Sequence, residues 1–97
     1  MIEIILTSAA KNDLTRLHKF LALENISAAQ KAIQTLISSI DRLKVFPEMG
    51  ISTPELKEMR VLHRQFGKSG YRIYYRWLKN LNQILILKIQ HQKENYN

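Results

Sequence analysis

At 97 residues and 45% hydrophobic content, the chain has room for one domain with one modest core. It contains no cysteine, which excludes disulfides, thiolate metal sites and a cysteine nucleophile, so packing must stabilise the fold. A formal net charge of +7 favours an anionic partner: nucleic acid, a ribonucleoprotein or an acidic protein segment. No apolar run approaches a membrane span, and the start MIEIILTSAAKNDL lacks the basic flank and long apolar block of a signal peptide, so a cytoplasmic location away from membranes is expected.

Ile2 to Leu6 is a short apolar run broken by Glu3, compatible with a first strand. Thr7 or Ser8 then offers a hydroxyl to an orphan helix amide, and Ala10, Leu14, Leu17 and Leu21 recur at helical spacing. Lys11, Asn12, Arg16 and Lys19 occupy the opposite, basic face. Asn25 is the expected stop, because Asn tolerates the left-handed conformation just past helix ends. Ser27 opens a second helix, with Gln30 completing a capping box, and Ala29, Ile33, Leu36, Ile37, Ile40 and Leu43 form its apolar stripe. Pro47 and Gly50 close it, and residues 48–57 read as a loop.

The stretch from Arg60 onward reads as three strands. Tyr71, Ile73, Tyr75 and Trp77 alternate with Arg72, Tyr74 and Arg76, placing the two sets on opposite faces. Between Phe66 and Tyr71, the segment GKSG supplies glycines for a hairpin turn. Asn80 and Asn82 precede a last strand, in which alternation sends Leu85, Leu87 and Ile89 to the core and Ile84, Ile86, Lys88 and Gln90 to the other face. The expected fold is α+β across residues 1–97 as a single domain. A strand and an antiparallel helical hairpin are followed by three antiparallel strands, with the helices on one face of a small twisted sheet.

In order and spacing, these features resemble the RelE/ParE superfamily of bacterial toxins. The matching features are the early strand ending in Thr7 and Ser8, Asp13 and Leu14, Pro47 and Gly50, Arg60 and Leu62, then Gly70, Tyr71, Arg72 and Tyr75, and the ending His91, Gln92, Lys93, Glu94. The resemblance covers nearly the whole chain and implies a type II toxin held inactive by a cognate antitoxin in a hetero-oligomer, without a cofactor or metal. RelE-like members cleave messenger RNA on the ribosome; ParE-like members are described as inhibitors of DNA gyrase without nuclease activity.

Cleavage by a ribose 2′-hydroxyl needs a base, cations for the phosphorane and a donor to the leaving oxygen. On a ribonuclease reading, His63, Arg72, His91 and Tyr96 would supply these groups. Where RelE-like members have paired lysines, however, this chain has His63, Arg64 and Gln65, and Gln92 stands where they place an arginine. The ending and the long helical hairpin are more similar to the ParE-like branch, so the resemblance favours gyrase inhibition with no catalytic residue.

The expected antitoxin surface is Arg72, Tyr74, Arg76, Ile84, Ile86 and Lys88, where an acidic, partly disordered segment complements the positive face. The expected target surface is His91, Gln92, Lys93 and Tyr96 with the basic helix face. A nucleic-acid-binding module without toxicity ranks last, because the basic residues are spread over helices and strands and no DNA-binding motif is recognisable.

Overall fold

The computed structural model describes residues 1–52, 54–55 and 58–94. Five strands and two helices follow one another as β1 (Glu3–Leu6), α1 (Ser8–Ala22), α2 (Ile26–Asp41), β2 (Ile51–Ser52), β3 (Met59–Phe66), β4 (Ser69–Leu78) and β5 (Gln83–His91). One sheet holds all five in the order β1-β5-β4-β3-β2. The β1–β5 pair is parallel and the remaining pairs are antiparallel. Both helices lie over one face: α1 packs on β5 and α2, and α2 reaches β3.

The helix boundaries follow from local chemistry. Thr7 caps α1, its hydroxyl accepting from the Ala10 amide at 3.3 Å. Asn25, expected to stop α1 in a left-handed conformation, instead has φ −158° and caps α2, its side-chain oxygen accepting from the Ala28 amide at 2.9 Å. Asn is as effective an N-cap as Ser, so the cap falls two residues before Ser27 and the connection shortens accordingly. The second helix ends at Asp41, and one 3₁₀ turn, Arg42–Lys44, carries the chain toward Pro47. Within the expected loop, Ile51 and Ser52 pair with Val61 and Arg60 as a short strand.

The core lies between the helices and the sheet. Ala10 and Leu17 of α1 and Ala32, Leu36 and Ile40 of α2 meet Leu62, Tyr71, Ile73 and Tyr75 of the hairpin and Ile84, Ile86 and Ile89 of β5. Ile37, expected in the stripe, is half exposed, and Ala32 occupies the buried face in its place. The β3–β4 turn is Gly67-Lys68, with φ +59° at Gly67. Asn82 takes the left-handed conformation before β5, φ 56°.

A β-bulge sets which residues of β5 are buried. Tyr74 pairs with Lys88 but Tyr75 pairs with Ile86, so Leu87 is an extra residue and the alternation reverses across it. Ile84 and Ile86 therefore face the helices, and beyond the bulge so do Ile89 and His91; all three isoleucines have no exposed surface. The expectation of Ile84 and Ile86 on the open face is overturned, because unbroken alternation could bury them or Ile89 but not both. Burying one more isoleucine is worth about 1.5–3 kcal/mol. The ladder hydrogen bond disturbed at a bulge costs about 0.5–1.5 kcal/mol, so the bulge wins.

Past Ile86, β5 has no strand neighbour on the β1 side, because β1 ends at Leu6. Residues of the β1–α1 segment take over. The Thr7 hydroxyl donates to the Ile86 carbonyl at 2.7 Å, Asp13 Oδ2 accepts from the Ile89 amide at 2.8 Å, and Arg16 donates to the Ile89 carbonyl at 3.4 Å.

Tyr75 anchors the opposite side of the fold. Its buried hydroxyl accepts from the Gly50 amide and donates to the Pro47 carbonyl, both at 2.8 Å. Burial raises its pKa, which keeps that donor protonated. Gly50 passes so near the ring that a Cβ there would lie 2.7 Å from Tyr75 Cε1. Tyr75→Phe leaves a buried amide and a carbonyl unpaired. Urea unfolding should show a loss of about 1–3 kcal/mol with an unchanged denaturant slope.

Candidate functional site

The face of the sheet away from the helices displays one row of β4 and its cross-strand partners. Arg72 stands between His63 and Gln90, Tyr74 between Val61 and Lys88, and Arg76 between Met59 and Leu85. The Lys88 ammonium sits 5.7 Å from the Tyr74 ring centroid, close enough for a cation–π contact. Arg76 forms a 2.7 Å ion pair with Glu58.

At one end of this face lies an open cleft of about 320 Å³, with His63, Arg64 and Gln65 of β3, Gly70 and Arg72 of β4, and Gln92 among its walls. It exists because β2 covers only Arg60 and Val61, leaving the rest of β3 as an edge. Within it, the Arg72 Nε is buried without a hydrogen-bond partner among the described residues. An unpaired buried donor costs about 1–3 kcal/mol, which sets Arg72 apart from an exposed guanidinium. His63 is exposed beside it. Cations, an imidazole and amide groups together suit binding of an anionic group. Among the described residues, no three His, Asp or Glu stand together as a metal site.

The second expected histidine is elsewhere. His91 pairs with Tyr71 on the helix side, is 1% exposed, and makes edge-on ring contacts with Tyr71 at 5.0 Å and Phe20 at 5.8 Å. Its Nδ1 accepts from the Lys93 amide at 2.9 Å. Strand alternation is the reason: His91 lies two residues beyond Ile89 and shares its core-facing side, whereas Arg72 pairs with Gln90 on the other face. His91 is therefore neither a surface contact nor a partner for His63. Gln92 and Lys93 are exposed as expected. Tyr96 lies outside the described residues.

Of the expected antitoxin surface, Arg72, Tyr74, Arg76 and Lys88 share the open face, whereas Ile84 and Ile86 do not. Besides Val61 and Met59, the apolar groups paired into that face include Leu85 and, opposite it on β1, Ile5, both half buried. The cleft was not read from the sequence; in its wall a Cβ on Gly70 would lie 2.7 Å from the Gln92 side-chain oxygen.

Residues 4–96 match the family described as the ParE toxin of the type II toxin–antitoxin system parDE. The chain belongs to this family. Over 94 residues it is 31% identical to Toxin RelE3 of Caulobacter vibrioides, covering 97% of this chain and 98% of that one. A chain from the structure of the chromosomal ParDE TA system from P. aeruginosa has the same fold. Its TM-score is 0.73 at 23% identity, with 93% of this chain and 95% of that chain covered. The protein is thus a type II toxin of the ParE/RelE family, and its system supplies an antitoxin as partner. Among the described residues no helix is long and apolar enough to cross a membrane.

Burial and, secondarily, the nearby Lys93 lower the His91 pKa below the ordinary imidazole value. With the folded-state value depressed, the unfolded chain binds the extra proton first. Stability is fully present above about pH 6.5 and is lost as pH falls through the depressed pKa. Urea midpoints measured between about pH 5 and 8 should fall on the acid side in the native toxin, and His91→Gln should flatten that dependence.

Proposed function

We propose that this toxin inhibits DNA gyrase and has no catalytic residue, acting in the cytoplasm as a single domain until an antitoxin covers its open sheet face. The observation that carries this reading is the burial of His91 on the helix side, which separates it from His63 and Arg72. General acid and base groups contribute about 10²–10⁴-fold each, and His63 is left without the second histidine that the ribonuclease reading required. The match of residues 4–96 to the ParE toxin supports the same reading.

The antitoxin segment proposed for the open face carries acidic side chains toward Arg72, Arg76 and Lys88 and apolar ones toward Tyr74 and Leu85. The target surface on this reading includes Gln92, Lys93 and the basic side of α1; Tyr96 is kept with it from the sequence. Salt-sensitive association follows, since rim charges act chiefly on encounter.

A second reading, cleavage of messenger RNA on the ribosome, is favoured by the cleft itself, where His63, Arg64 and Arg72 gather around a buried unpaired Nε. One paired assay separates the two: supercoiling of relaxed plasmid by gyrase, and messenger RNA cleavage on translating ribosomes, each with graded toxin. The expected result is loss of supercoiling or accumulation of gyrase-cleaved DNA with intact messenger RNA, unaffected by His63→Ala. Codon-aligned cleavage with normal supercoiling, abolished by His63→Ala or Arg72→Ala, overturns it. Independently of target, Arg72→Glu should weaken antitoxin binding about tenfold or more in a titration at low salt.

A further inference from the structure

An ion network ties α1 to the end of β5 and to the chain beyond it. Asp13 and Arg16 are joined at 2.9 Å along α1. Asp13 accepts from the Ile89 amide at 2.8 Å, while Arg16 donates to the Ile89 carbonyl and pairs through its other terminal nitrogen with Glu94. Glu94 in turn folds back on β5: its carboxylate accepts from the His91 amide and its own amide donates to the His91 carbonyl, each at 2.9 Å. These carboxylates are 18% and 14% exposed, so the network is screened less than a surface ion pair.

Inside this reversal, Gln92 engages the other side of the molecule. Its amide donates to the Gly70 carbonyl at 2.8 Å and its side chain donates to the Lys68 carbonyl at 3.3 Å. Its side-chain oxygen lies directly over Gly70, 2.7 Å from where a Cβ would stand. Gln92 is thereby a wall of the cleft that contains Arg72.

We propose that Asp13 and Arg16 are positioning residues, which latch the chain reversal at residues 91–94 through Ile89 and Glu94 and so hold Gln92 in place beside Arg72. The latch couples the solvent side of α1 to the open face of the sheet. Pairing with β4 holds one side of this segment, but among the described residues no strand flanks β5 on the α1 side past Ile86, and there the latch supplies the restraint. The coupling concerns the shape of the cleft and holds whichever target the toxin engages, so failure of the gyrase reading leaves it standing.

Amide hydrogen exchange and side-chain amide resonances of the complete toxin, freed of antitoxin, test the latch. Two variants are compared with the native chain: Arg16→Ala, and the milder Glu94→Gln, which keeps an acceptor for the His91 amide but removes the charge facing Arg16. Exchange in peptides covering residues 90–94 should rise about tenfold in Arg16→Ala and by a smaller factor in Glu94→Gln. The Gln92 side-chain resonances should move in both, while protection of the β3–β4 hairpin stays unchanged. Unaltered exchange at 90–94 with unmoved Gln92 resonances in both variants overturns the proposal. An increase spread equally over the hairpin also overturns it, since that reports lost global stability rather than a released latch.

Discussion

The Asp13 carboxylate on the Ile89 amide, with Thr7 on the Ile86 carbonyl and Arg16 on the Ile89 carbonyl, lets β5 sit inside the fold at all. β1 is four residues long and β5 is nine, so half of the longer strand has no ladder on one side. The Ile86 carbonyl also accepts from the Thr7 amide, but the two Ile89 groups rest on these side chains, and each buried backbone group left unpaired costs about 1–3 kcal/mol against the marginal net stability of a small domain. The chain solves this by turning from strand into helix at Thr7 and laying α1 along the vacant edge. Thr7 serves both elements, since its hydroxyl donates to β5 and accepts from the first turn of α1. A side-chain edge also offers no template to another strand, which protects the sheet on that side.

The opposite edge is treated differently, and the cleft results. β2 pairs with β3 at two positions and then departs, held by Tyr75 beneath Gly50 and by the Arg60 guanidinium, which donates to the Gly50 carbonyl at 2.8 Å. Residues 62–66 of β3 are left as an edge bearing His63, Arg64 and Gln65. One edge is closed by charged side chains from a helix and the other is left open beside Arg72. That asymmetry gives the sheet its open cleft.

The element order was legible because each segment carried a redundant signal: helical stripes ending in caps, alternation in Tyr71 to Trp77, and Gly67 and Asn82 at positions that adopt positive φ. What escaped were features decided by tertiary pairing. Two residues of the loop after Pro47 become β2 only because Arg60 and Val61 are within reach. Leu87 looks like an ordinary strand residue, yet it is the extra one, since the core has places for Ile84, Ile86 and Ile89 together. His91, two residues beyond Ile89, follows it into the core between Phe20 and Tyr71, which removes it from the expected target surface and from the ribonuclease constellation. Arg72, Tyr74 and Arg76 lie on the expected face because the extra residue is in β5 and β4 keeps strict alternation, and Lys88 does because it lies beyond the bulge, where the β5 alternation is the expected one.

Net charge by itself located nothing on this surface, and the ion pairs explain why. Arg16 is committed to Asp13 and Glu94, Arg60 to Glu48 and Arg76 to Glu58, so those cations are partly neutralised within the chain. Pairs as exposed as Arg76–Glu58 are worth about 0–1 kcal/mol and exchange partners readily. Arg72 differs in kind, because its Nε has already lost water without gaining an acceptor. The positive charge of the chain is spread widely, but on the open face an anion at Arg76 must first displace Glu58, whereas Arg72 beside the cleft has no carboxylate partner among the described residues.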